Sequence, residues 1–236
     1  MGVAEYWTID GGALTIEGEG VEGWPPARAA VAARTPDGLA VLESGGHTTL
    51  RMLLEQFDGM HEAESYEHED GPVVLMQGSL YGHEDFAYEG EQYALLWEHD
   101  GVGLVARASG RRRDWFTDFA ATVRTESNGR SVRARPATPT DWGFEALPTP
   151  GLRLLVTIPG VGVARLPDDA GVRRRSLRSD RTRSLPAGTL HAFHGERQGH
   201  VVLEAPTAQL DITLLETTAE DAAERLAALG EVRWLG

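Results

Sequence analysis

Through most of the chain, apolar residues alternate with polar ones or gather in short runs between glycines, the spacing of β-strands. Tyr6-Trp7-Thr8-Ile9 and Ala13-Leu14-Thr15-Ile16 are two β-favouring runs joined by Asp10-Gly11-Gly12, where glycine permits positive φ; they predict a hairpin. Residues 29–34 (AAVAAR), the turn Thr35-Pro36-Asp37-Gly38 and residues 39–44 (LAVLES) predict a second, with the alanines leaving a helix over 27–34 as the alternative. Helical spacing takes over in residues 48–60, where Leu50, Leu53, Leu54 and Phe57 recur, Thr48 or Thr49 is placed to cap, and Gly59 to stop the helix. An acidic tract from His61 to Asp70 follows. Three strand-like runs come next, over 72–82, 86–101 and 102–110, the last two joined by a turn at Asp100-Gly101. Residues 112–124 then predict an amphipathic helix with Trp115, Phe119 and Val123 on one stripe and Phe116 beside it.

Residues 125–150 contain four prolines and little periodicity, so they read as a linker, though Trp142 and Phe144 within it call for a docking surface. Beyond it the plan repeats. Strand-like runs at 152–160, 161–167, 188–195, 200–205 and 210–216 lead to a helix over 219–229, with Thr217 or Thr218 before Glu220 and Asp221, and Gly230 at its stop. Residues 231–236 add a short strand. The expectation is therefore α+β: antiparallel sheets each covered by an amphipathic helix, in two similar lobes, 1–124 and 151–236, joined by 125–150. The parallel layouts suggest an ancient duplication.

Composition narrows the chemistry. The 236 residues, 41% hydrophobic, suffice for a core. Cysteine is absent, which excludes disulfides, thiolate metal sites and a cysteine nucleophile. Lysine is absent too, all 22 basic residues being arginine, a pattern of GC-rich genomes that also excludes Schiff-base and phosphate-loop lysines. No apolar run is long enough to cross a membrane, and the amino-terminal residues have no signal-peptide pattern, so the chain reads as cytoplasmic, or as exported or anchored if a leader has been removed.

Charge is unevenly spread. Residues 1–100 carry 20 acids against three arginines, a net charge of −17, whereas 101–236 carry 16 acids and 19 arginines, a net charge of +3. Arg173, Arg174, Arg175, Arg178, Arg181 and Arg183 stand close together, and so many guanidinium groups cannot all be buried without carboxylate partners. They predict an exposed loop that makes charge-steered contacts with an acidic partner or a second copy of the chain. Nucleic acid is disfavoured, because the acidic half repels its phosphates.

The pattern Tyr93-Ala94-Leu95-Leu96-Trp97-Glu98, Asp100-Gly101, Val102 to Ala106, then a helix from Asp114, resembles the carboxy-terminal extracellular region of actinobacterial anti-sigma factors. More broadly it is similar to sheet-plus-helix modules of the Mog1/PsbP-like and lipoprotein types. The resemblance covers about residues 89–124. It implies a curved sheet that supports a helix and binds a protein or an apolar ligand without catalysis, and it carries over no functional residue.

Among catalytic constellations, the sharpest is a metal site built from His61, His68, His83 and Asp85, since imidazole and carboxylate both coordinate zinc-like ions, although their spacing fixes no geometry. His191 and His194 are three residues apart and face opposite sides of a strand, while His194 and His200 are placed to meet across a hairpin. No Gly-x-Ser-x-Gly elbow is present, and Ser79, Ser109 and Ser176 have no recognisable base nearby in sequence. Ile158-Pro159-Gly160-Val161-Gly162-Val163 lacks the third glycine, the helix and the lysine of a phosphate-binding loop. The sequence thus favours a non-enzymatic, charge-steered binding or assembly protein without a cofactor. The alternative is a metal-dependent or acid-base enzyme using the His61–Asp85 region.

Overall fold

The computed structural model describes residues 1–55, 57–68, 70–80, 91–139, 141–145, 153–166, 179–193 and 199–236. In the first hairpin, β1 (Gly2–Trp7) pairs antiparallel with β2 (Ala13–Gly18). Gly11 takes φ +98° at the corner, and Thr8 N–H donates to the Gly12 carbonyl at 2.8 Å. The alanine-rich segment becomes strand β3 (Ala29–Thr35), paired through the expected turn with β4 (Gly38–Gly46). Every side chain from Ala29 to Ala33 is buried, so both faces of β3 are covered, and small residues fit there.

A seven-stranded antiparallel sheet forms around this pair in the order β11 (Gly143–Glu145), β3, β4, β8 (Val102–Arg107), β7 (Glu91–His99), β6 (Gly71–Leu80), β5 (Phe57–His68). A six-stranded sheet runs β12 (Leu154–Ile158), β13 (Gly162–Leu166), β17 (Gln209–Leu214), β16 (His200–Glu204), β15 (Gly188–Ala192), β14 (Arg181–Leu185). The two meet where Arg28 and Leu155 exchange main-chain hydrogen bonds of 2.9 and 2.7 Å. β9 (Val123–Ser127) and β10 (Val132–Pro136) form a hairpin of their own, and β18 (Leu229–Leu235) joins β2 to complete a three-stranded sheet.

The expected α+β arrangement, with a helix covering each sheet, is not what forms. Of the described residues, 58% are strand and 15% helical, so the chain is mostly antiparallel β with three short helices. The physical reason is that the sheets cover one another: a single buried cluster draws Ile16 from the three-stranded sheet, Leu42, Leu75 and Leu104 from the seven-stranded sheet, and Val156, Leu203 and Ile212 from the six-stranded sheet. The helices have less to cover. Helix α1 (His47–Leu54) lies on the far face of the seven-stranded sheet, where Leu50 packs with Ala94, Leu96 and Val105. That approach requires Gly103, since a β-carbon there would sit 2.6 Å from the Trp97 carbonyl oxygen and 2.7 Å from Leu50 Cδ1. Helix α2 (Arg113–Thr122) buries Phe116, Phe119 and Ala120, a stripe rotated by one residue from the expected one, while Trp115 stacks on Phe119 at 5.1 Å and 11°. Helix α3 (Ala219–Leu226) buries Ala222, Ala223 and Leu226, and Thr218 caps it by accepting from Asp221 N–H.

Three local expectations shift for identifiable reasons. α1 begins after Gly46 without a threonine cap and ends before Phe57, because that residue starts β5 and Gly59, at φ +63°, stands at an irregularity in that strand. The acidic tract is an edge strand, held by its register against β6 and by Tyr66 on the face toward α2. The proline-rich stretch after residue 124 carries β9, β10 and β11, with Trp142 buried against Phe119 and Phe144. No helix among the described residues is long and apolar enough to cross a membrane.

Candidate functional site

On the face of the seven-stranded sheet away from the main core, Glu43 of β4 points into an otherwise apolar surface and is only 4% exposed. Cross-strand register sets Val41 opposite Arg107, so the Arg107 guanidinium reaches diagonally to Glu43 Oε2. Arg28, just before β3, donates to Glu43 Oε1 at 3.0 Å. Desolvation, and after it the charge of Arg28, pulls the Arg107 guanidinium below its ordinary pKa. Next to this group opens a cleft of about 510 Å³. Leu39, Val41 and Ala108 supply apolar wall, while Tyr93, Arg107 and Arg111 supply polar groups; no Asp or Glu lines it among the described residues. Arg111 is held over the β3–β4 turn, donating to the Asp37 carbonyl, with its guanidinium 5.8 Å from the Trp115 ring centre.

A second polar group lies on the six-stranded sheet. His191 is 9% exposed, its Nδ1 3.1 Å from Ser179 Oγ and its Nε2 3.2 Å from Glu204 Oε2. Neighbouring strands β15 and β16 place His191 and Glu204 on the same face, and Ser179 arrives from just before β14. The order hydroxyl, imidazole, carboxylate is that of an acid-base relay.

The expected metal ligands do not converge. His61 stands near the middle of β5 and His68 at its end, seven residues and roughly 20 Å apart at strand rise. His61 Nδ1 lies 2.9 Å from the Gly59 carbonyl oxygen, whereas His68 Nε2 accepts from Arg124 at 2.9 Å. His83 and Asp85 fall outside the described residues, and among those described no group of three or more His, Asp or Glu is placed to hold an ion. Near His68, Asp70 accepts from Thr125 N–H at 3.0 Å, and His99 Nε2 lies 3.1 Å from Thr125 Oγ1. Desolvation lowers the His99 pKa, opposed by the charges of Asp70 and Asp100.

Of the clustered arginines, Arg173, Arg174, Arg175 and Arg178 fall outside the described residues, as does His194. Arg181 and Arg183 are exposed but belong to edge strand β14 rather than a loop, since they pair with Ala192 and Leu190 of β15. Their opposite in charge is β5, the edge of the other large sheet, which exposes Glu62, Glu64 and Glu67. The Tyr66 hydroxyl, followed by Arg113, holds the Glu64 carboxyl below its usual pKa.

Sequence reading passed over Glu43, Arg28, Arg107, Ser179 and Glu204. Only Glu43 left a local signal, as a carboxylate inside the apolar run LAVLES; the others depend on strand register between distant segments. Comparison with protein-family models, with curated proteins and with solved structures finds no match to this chain.

Proposed function

We propose that the chain is a non-enzymatic binding or assembly protein that recognises an oppositely charged protein surface, a second copy of itself included. The observation that carries this reading is the charge of the two exposed sheet edges, acidic along β5 and basic along β14. β5 has register irregularities between Asp58 and His61 and between Glu62 and Glu64, features that discourage main-chain pairing of edges, so the contacts in this reading run through side chains. Exposed ion pairs contribute only about 0–1 kcal/mol each, which places the effect in association rate and salt dependence. The resemblance of residues 89–124 to anti-sigma and Mog1/PsbP-like modules points to the same class. Sedimentation velocity at low and high salt tests it: association that weakens with salt and with Arg181→Ser/Arg183→Ser supports recognition through β14. A chain that stays monomeric in low salt and captures no partner with a basic or acidic surface sinks the reading.

A second reading, acid-base catalysis, is favoured by Ser179, His191 and Glu204 rather than by the His61–Asp85 region. Its test is labelling by a serine-reactive phosphonate that is lost in Ser179→Ala. No labelling of the native chain disposes of it.

A further inference from the structure

We infer that the cleft between β4, β7 and the β8–α2 turn binds a small organic anion, a carboxylate or phosphate carried on an apolar body. Its volume, about 510 Å³, lies within the range of small-molecule sites, roughly 300–1,000 Å³. The wall formed by Leu39, Val41 and Ala108 suits an apolar body; on the polar side the Tyr93 hydroxyl donates to Glu91 Oε2 at 2.5 Å and Arg107 is bonded to Glu43, so Arg111 is the group that faces a ligand. Arg111 has no carboxylate partner among the described residues; it meets a carbonyl oxygen and an aromatic ring, which leave guanidinium N–H groups for a ligand. Guanidinium forks match carboxylate and phosphate oxygens two at a time, and stacking on Trp115 limits the freedom Arg111 loses on binding. No Asp or Glu lines the cleft itself among the described residues; the carboxylates of Glu43 and Glu91 stand behind Arg107 and Tyr93. The Arg107–Glu43–Arg28 group fixes one rim, because a carboxylate bonded to two guanidiniums holds all three side chains in place. Neither the edges β5 and β14 nor any contact between copies enters this assignment.

The test is a titration of the whole, nitrogen-15-labelled chain with 4-phenylbutyrate, with 4-phenylbutan-1-ol and with inorganic phosphate. Phenylbutyrate is expected to give saturable shifts confined to amides such as Val41, Ala108, Ser109 and Arg111. Arg111→Gln should weaken binding by about tenfold or more, the loss of a charge-assisted hydrogen bond. Since Arg111 also braces a turn, a second variant is needed: Ser109 is exposed on the rim, so Ser109→Asp adds a carboxylate there without disturbing the core. It should weaken phenylbutyrate by a similar factor with the spectrum otherwise unchanged. Equal binding of the alcohol, equal binding of inorganic phosphate, retention of affinity in both variants, or no saturable shift at millimolar ligand would each overturn the assignment.

Discussion

At Glu43 one carboxylate bridges two guanidiniums at the surface end of an apolar sheet face. Removing its charge leaves Arg28 and Arg107 facing each other, and the Arg107 pKa is already lowered, first by desolvation and then by the charge of Arg28. Because both arginines remain partly exposed, the cost falls below that of a fully buried pair; Glu43→Gln should destabilise by about 1.5–3 kcal/mol in denaturant unfolding. His99 makes a prediction about pH. Its folded pKa is lowered by desolvation, so the neutral ring is the form the fold prefers. Its contribution is therefore present above the unfolded value, about 6.5, and is lost as pH falls through the folded value. His99→Gln keeps a partner for Thr125 Oγ1 and should flatten the decline of thermal midpoint on moving from neutral pH toward pH 5. An unchanged decline would assign the acid sensitivity to other groups.

Among the elements, hairpins with a Gly or Pro-Gly corner were legible, because turn geometry is local and restricts which residues fit. The Asp10-Gly11-Gly12, Thr35–Gly38 and Asp100-Gly101 turns all join paired strands, although Ile9 falls into the turn, where it is buried. The acidic tract was illegible as a strand because its acids and Gly59 suit a solvated loop. Its pairing with β6 is a long-range fact, as is the pairing of β11 with β3. Helix α2 was legible in existence but not in rotation: Val123, read as helical, begins β9, and Phe116 rather than Trp115 enters the core. Phe119 lies in both versions of the stripe. It is 4% exposed between Trp115 and Trp142, so Phe119→Ala should cost about 3–5 kcal/mol, and a loss below about 1 kcal/mol would place it outside the core. The candidate site was least legible of all, since Glu43 and Arg107 become neighbours only through the register of β4 and β8.

For the whole molecule, two lobes of residues 1–124 and 151–236 are a proposal that separate expression can test. Strand β18 pairs along its length with β2, burying Leu229 and Val232, and Arg28, just before β3, exchanges main-chain hydrogen bonds with Leu155 of β12. Each fragment made alone would therefore present strand edges and apolar side chains that the other covers. Fragments 1–150 and 151–236 are expected to be poorly ordered separately and to regain dispersed amide spectra when mixed. Well-dispersed spectra from each piece alone would establish independent lobes.

The closing of β2 by β18 also sets an order of events during synthesis. β2 ends at Gly18 and its partner begins only at Leu229, so on the ribosome the first hairpin emerges long before the strand that covers its open edge exists. Until then Leu14 and Ile16 belong to a two-stranded ribbon, an arrangement marginal in water. A nascent chain stalled within residues 229–235 would carry that edge bare, and it is this truncated product, rather than the finished protein, that chaperones and proteases would be expected to seize.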